Sequence, residues 1–174
     1  NNETKDLTKK YLLARIPFIA INSIEKKRVE RMFLELSKEM NIPIYFYSMS
    51  KGLFEITSGK VLNETKTTTG VLDYIGEQLK IKDNHIFVLS DITDIESESV
   101  ISRFLNDIVT LAEEHNSSIV IVHSGDTIWS NLKRLGMSLE LPLPTEEELY
   151  EIIKKSILPY KSQIQLEWNE ENFK

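Results

Sequence analysis

Five short apolar runs alternate with amphipathic stretches along this chain, and that alternation limits what it can fold into. The runs are Pro17–Asn22, Pro43–Ser48, His85–Ser90, Ser118–His123 and Met137–Leu141. Each has strand length, and Pro17–Asn22 is apolar enough to be buried on both faces of a sheet. Glu25–Met40 repeats Val29, Met32, Phe33, Leu36 and Met40 at helical spacing, with Lys26, Lys27, Arg28, Glu30, Arg31, Glu35, Lys38 and Glu39 on the other face. Ser97–His115 carries a stripe of Val100, Ile101, Phe104, Leu105, Ile108, Leu111 and Ala112. Strands that alternate with such helices predict an α/β fold: a three-layer αβα sandwich around a five-stranded parallel sheet with right-handed crossovers.

The remaining stretches fill in around this frame. Asp6–Arg15 reads as a helix capped by Thr4 or Asp6, with Leu7, Tyr11 and Ala14 on one face. Ser23 is placed to cap the helix that follows it. Leu53–Ile56 is a candidate extra strand, and Thr57–Lys66 is polar and turn-rich. Thr69 is expected to cap a helix over Val71–Leu79. Thr127–Leu135 reads as a short helix, and Thr145 opens a last helix to about Leu158, with acids in its first turn.

The 174 residues suit one domain. The net charge of −6 argues against broad binding to nucleic acid or an anionic membrane, both of which need a basic face. With no cysteine, disulfides and thiolate metal sites are excluded, and the composition fits a reducing cytoplasm. No apolar run approaches the ~20 residues of a membrane span. The polar stretch Trp168–Lys174 and the start at Asn1 read as the ends of a piece of a longer protein. The expected organisation is an αβα domain over 1–160 and the start of a truncated lid or linker over 161–174.

Ligands on parallel sheets bind outside the carboxyl ends of the strands. The residues there are Asn22 and Ser23, Ser48–Lys51, Ser90–Asp94 and His123–Asp126. As a ligand set these give Asn22, Ser23, Ser90, Asp91, Asp94, Ser124 and Asp126. Asp91 and Asp94 are open to two readings, a hard-cation or phosphoacceptor site and a turn that caps the next helix. His123, Ser124 and Asp126 include the residue types of a nucleophilic triad, but neighbours in sequence do not converge as a triad requires. His85 and His115 show no metal-ligand spacing. The hydroxyl-rich Thr65–Gly70 reads as a loop ending in a helix cap. Lys26, Lys27, Arg28 and Arg31 form a basic cluster, read either as an interaction surface or as a solvated face balanced by Glu25, Glu30, Glu35 and Glu39.

The turn after Pro17–Asn22 argues strongly against a phosphate-cradling nucleotide site. A phosphate loop needs glycines so that backbone amides turn inward on an anion, a lysine for the outer phosphates and a hydroxyl for magnesium. Asn22-Ser23-Ile24-Glu25-Lys26-Lys27-Arg28 has no glycine, a β-branched Ile24 in the curve and an acid at the helix mouth.

Taken together, the motifs resemble those of the AAA ATPases. Ala14–Ile21 with the following Arg/Glu-rich helix, Ile86–Asp91, Leu139–Glu148 and Ile164–Glu171 carry the likeness. Within that group the chain resembles the nucleotide-site-poor N-terminal domain of two-domain proteins related to the chloroplast open reading frame forty-six. The resemblance implies a P-loop-type topology without the P-loop, with strand order 5-1-4-3-2. A flavodoxin-like order, 2-1-3-4-5, is the alternative that periodicity does not separate. Where the family's second motif ends in two acids, this chain has Ser90 then Asp91, so no catalytic role is carried over. The implied function is a non-catalytic regulatory or assembly domain acting through protein–protein contacts. Its partners would be a downstream AAA catalytic domain and neighbouring subunits. Cofactors are expected only for the parent protein, an ATP hydrolase using ATP and magnesium. The alternative is a small-ligand or nucleotide-binding αβα domain.

Overall fold

Five strands stand where the apolar runs predict them, and a hairpin extends the sheet at one edge. The computed structural model describes residues 2–125, 127–143 and 146–157. Two units divide the chain, one over Asn2–Leu141 and one from Pro142 onward. The first holds β1 (Phe18–Asn22), β2 (Tyr45–Ser48), β3 (Gly52–Glu55), β4 (Val61–Asn63), β5 (Ile86–Leu89), β6 (Ser118–His123) and β7 (Met137–Glu140). It also holds α1 (Asn2–Leu13), α2 (Lys26–Met40), α3 (Thr68–Ile81), α4 (Val100–Glu114) and the short α5 (Ser130–Lys133). In the second unit the described element is α6 (Glu146–Ile157), with Glu146, Glu147 and Glu148 in its first turn, where the helix dipole favours acids. Thr145, the boundary near 160 and the segment 161–174 lie outside the described residues.

The strand order is β4-β3-β2-β5-β6-β1-β7. For the five parallel strands this is the 5-1-4-3-2 order, and the flavodoxin-like alternative is overturned. β1 pairs with β6 and β7, and β5 with β2 and β6, all in parallel. The carboxyl ends of these strands therefore meet at one edge. β3 and β4 add antiparallel to β2. β4 falls in the stretch read as turns, because its exposed Val61 and Leu62 sit among polar residues with no strand-like alternation. β2 is consequently interior, and Phe46 and Tyr47 are buried.

Side chains alternate along each strand into two cores. Phe18 and Ala20 of β1 pack with α3, α4 and α5, through Leu72, Ile75, Leu105, Ile108 and Leu132. Ile19 and Ile21 pack with α1 and α2, through Leu12, Val29, Phe33 and Leu36. The α1 face differs from expectation. Thr4, Thr8 and Leu12 are buried and Ala14 is exposed. Neither Thr4 nor Asp6 caps α1, because the helix already begins at Asn2. The Thr4 hydroxyl donates instead to the Glu140 carbonyl at 2.7 Å, and that of Thr8 to the Thr4 carbonyl, so two threonines satisfy themselves inside the core.

The caps also move. Thr67, not Thr69, accepts from the Gly70 amide at the start of α3. Ser99 forms a reciprocal capping box with Ser102, so α4 begins at Val100, which is exposed. Ser23 does not cap α2. Its hydroxyl accepts from the Glu25 amide at 3.1 Å, two residues on, and Glu25 takes the N-cap position without a side-chain cap bond.

Candidate functional site

The β1–α2 junction is only three residues long, Ser23, Ile24 and Glu25. Two of its three amides are engaged within the chain. The Ser23 amide donates to the His123 carbonyl at 2.9 Å, and the Glu25 amide to Ser23 Oγ. Asn22 Nδ2 reaches the Gly125 carbonyl at 3.4 Å, tying the end of β1 to the turn after β6. These amides close the edge of the sheet and do not turn on a common point. Ile24 extends outward, 70 % exposed.

Asp91 is the centre of what remains. It adopts a left-handed backbone, φ 62°, a conformation Asp tolerates better than most residues. Its Oδ2 accepts from the Met49 amide at 3.1 Å, and its Oδ1 pairs with Lys26 Nζ. One carboxylate thus joins the first turn of α2 to the loop after β2. The lysine nearest in sequence to a phosphate-binding position is occupied by a carboxylate of the chain itself.

Two clefts flank this pair. One, about 360 Å³, runs between Ser23, Ile24, Met49, Ile92, Ile95, Glu96, Val122 and the turn of His123–Gly125. The other, about 620 Å³, lies between α2 and the loop after β2, and is lined by Lys26, Lys27, Arg31 and Lys51 above Leu34, Phe46 and Ile56. A third, about 260 Å³, holds Asn22, His123, Lys133 and Glu140.

The expected ligand residues are only partly gathered. Ser23, Asp91 and Ser124 share the first cleft, and Ser90 and Asp91 the second. Ser90 is buried, and its hydroxyl donates to the Tyr47 carbonyl at 2.7 Å, so it holds β5 against β2. Asp94 lines none of the three clefts, and its carbonyl accepts from Ser99 Oγ at 2.6 Å beside the α4 cap. Asp126 lies outside the described residues. Lys26, Lys27 and Arg31 face the second cleft, whereas Arg28 turns to Glu25 at 3.5 Å. Glu35 and Glu39 do not balance this cluster, because Lys5 and Lys9 of α1 engage them. Met49 and Lys51 fall in the Ser48–Lys51 segment expected at the strand ends but not in the expected ligand set, and sequence reasoning missed Glu96 as a lining residue. Their only signal was position in or just after loops at strand ends.

His123 Nδ1 is buried without a hydrogen-bond partner, as is His85 Nδ1 at the other end of the sheet. Burial pushes the His123 imidazole below the usual histidine range, against the opposing pull of the Gly125 backbone and the Glu96 carboxylate. Burial likewise lowers His85, with Lys82 and Asp83 nearby. A histidine depressed in the folded state binds fewer protons than in the unfolded chain, so its contribution is present above about pH 6.5 and lost as the pH falls. The urea midpoint is therefore expected to drop between about pH 7.5 and 5.5, and to drop less in a His85→Gln/His123→Gln variant. Parallel curves for the two proteins would contradict this.

No helix among the described residues is long and apolar enough to cross a membrane. No curated protein matches the sequence. Among solved structures, a chain of the E. coli MS115-1 HORMA:CdnC:Trip13 complex matches with a TM-score of 0.62 at 12% identity, over 99% of this chain and 70% of that one. A RuvB variant of Thermotoga maritima matches with a TM-score of 0.60 at 14% identity, over 99% and 54%. C. elegans PCH-2 gives 0.58 at 12% identity, over 97% and 50%. This chain thus spans about half of the RuvB and PCH-2 chains. At these identities the likeness concerns the fold, which is that of P-loop ATPases of the AAA type. Residues 4–141, nearly the whole sheet-bearing unit, match the model of the SpoVK-like AAA ATPase N-terminal domain, and the chain belongs to that family.

Proposed function

We propose that this domain is a non-catalytic regulatory or assembly module of an AAA-type ATPase, acting through protein–protein contacts. The observation that carries the reading is the β1–α2 junction. The Ser23 and Glu25 amides are engaged within the chain, Ile24 projects outward, and Lys26 is paired with Asp91. A triphosphate would have to displace that carboxylate and would find no glycine curve to enclose it. In this reading ATP and magnesium serve a catalytic domain elsewhere in the parent protein, as in the two-domain architecture of the chloroplast-reading-frame type. The module packs on that domain or on neighbouring subunits in the cytoplasm and biases their conformations.

Calorimetric titration of the 174-residue chain with magnesium and ATP or ADP is expected to give no saturable binding up to about 1 mM. Micromolar binding abolished by Asp91→Ala would overturn the proposal in favour of a small-ligand or nucleotide site at the strand ends. That second reading draws on one observation, the convergence of Ser23, Asp91 and Ser124 on a single cleft.

A further inference from the structure

The clefts on either side of the Lys26–Asp91 pair share both of these residues and so adjoin across it as the two halves of a surface groove. We propose that this groove docks an acidic peptide segment of a partner protein, anchored by one apolar side chain. The proposal rests on the reading of the domain as a protein-contact module and names the surface and the chemistry of what it contacts.

The two halves differ in character. In the larger half Lys27, Arg31 and Lys51 stand exposed around an apolar floor of Leu34, Phe46 and Ile56. None of these three cations has a carboxylate within ion-pair distance among the described residues. Lys51 instead lies over the Phe54 ring, 4.6 Å from its centroid. The acids in this half are Glu30 and Asp91, and Asp91 is neutralised by Lys26. A local positive field on a chain of net charge −6 selects an acidic occupant through charge complementarity.

The smaller half is apolar at its lip. Ile24 is 70 % and Met49 54 % exposed, over buried Ile92, Ile95 and Val122. Two large exposed apolar side chains on either side of a cleft offer a place for an aliphatic or aromatic anchor, and methionine adapts to differing shapes. Glu96 also lines this half and makes it unfavourable to acids, so the acidic part of the segment lies toward Lys27 and Arg31 and the anchor toward Ile24 and Met49. A nucleotide is a poorer fit, because the Ser23 and Glu25 amides are engaged within the chain and Lys26 is paired with Asp91. Single-stranded nucleic acid is also a poorer fit, because among the described residues no exposed aromatic ring lines either half for base stacking.

The test selects a random 12-residue peptide library, displayed on phage, against the immobilised 174-residue chain. Enriched peptides are then synthesised and titrated by fluorescence anisotropy. The expected enrichment combines Asp or Glu with a Leu, Ile, Met or Phe anchor. Binding should weaken at least tenfold in Lys27→Glu/Arg31→Glu, at least fivefold in Ile24→Ser/Met49→Ser, and also with added salt. All four positions are exposed, and circular dichroism checks that the variants stay folded. No enrichment, enrichment without acidic bias, or affinity unmoved by Lys27→Glu/Arg31→Glu overturns the proposal. Retention of oligo(dT) or an RNA oligomer at low salt, lost in the same variant, assigns the groove to nucleic acid and also overturns it. Titration with magnesium and ATP on the same sample separates the two levels. Tight nucleotide binding sinks the contact-module reading itself, whereas its absence beside a failed peptide selection removes the docking groove alone.

Discussion

Gly136→Ala is expected to destabilise the domain by about 3 kcal/mol or more, at or beyond the upper end of overpacking costs. A Cβ built on Gly136 would lie 1.7 Å from the Phe18 carbonyl oxygen, 2.6 Å from its carbon and 3.0 Å from its Cα. Those atoms are backbone of β1, the strand held between β6 and β7, and no side-chain rotation relieves the clash. The remaining outcome is that the start of β7 moves away. That breaks the Ile19–Met137 register and loosens Glu140, whose carbonyl receives the Thr4 hydroxyl of α1. Urea unfolding gives the loss, and hydrogen exchange locates it: amides of Ser138 and Leu139 should lose more protection than those of Val88 and Val120, which fall only with the global stability. A loss below about 1 kcal/mol would mean that β7 does not lie against β1 as described.

Much of the frame was legible in the sequence because buried parallel strands leave a plain signal. Phe18–Asn22, Ile86–Leu89 and Ser118–His123 are apolar runs of strand length, and each forms a strand within a residue of its expected ends. The amphipathic α2 was equally plain, since Val29, Met32, Phe33 and Leu36 recur at helical spacing and are buried. What failed were features set by tertiary contact. Thr4 reads as a possible helix cap and Thr8 is not singled out, yet both are buried, with Glu140 and the helix's own carbonyls receiving their hydroxyls. β4 exists because Gly52, at φ 81°, lets β3 approach Asn63, not because Val61–Asn63 favours a strand. At the site the missing glycines were visible, but the pairing of Lys26 with Asp91 was not, because it joins residues far apart in sequence through the β1–β6–β5 arrangement. The alternation of small cap residues around Thr65–Thr69 and Ser97–Ser102 offered several equivalent N-caps. Only the hydrogen bonds to Gly70 and Ser102 choose among them.

The second large effect is expected from Phe33→Ala, at about 3–5 kcal/mol, the usual cost of removing a fully buried phenylalanine. Phe33 is wholly buried on α2, within the core that joins that helix to Ile19 and Ile21 of β1, Val88 of β5 and Val120 of β6. Neighbours fixed on rigid strands collapse only partly into the space left behind, so a cavity cost adds to the lost burial. Leu13→Ala, more than half exposed on α1, is the matched control and should stay within about 0.5 kcal/mol of wild type. The two faces of α2 make this substitution informative about more than stability. Phe33 seats the helix, while Lys27 and Arg31, earlier on the same helix, carry the charge of the groove. If the domain starts with the usual ~5–15 kcal/mol, enough can remain after Phe33→Ala to keep it folded in the cold. Peptide affinity measured there should then stay near wild type, whereas Lys27→Glu/Arg31→Glu should leave the urea midpoint in place and remove binding. A Phe33→Ala protein that unfolds at the wild-type urea midpoint would show that α2 is not packed on the sheet through this ring.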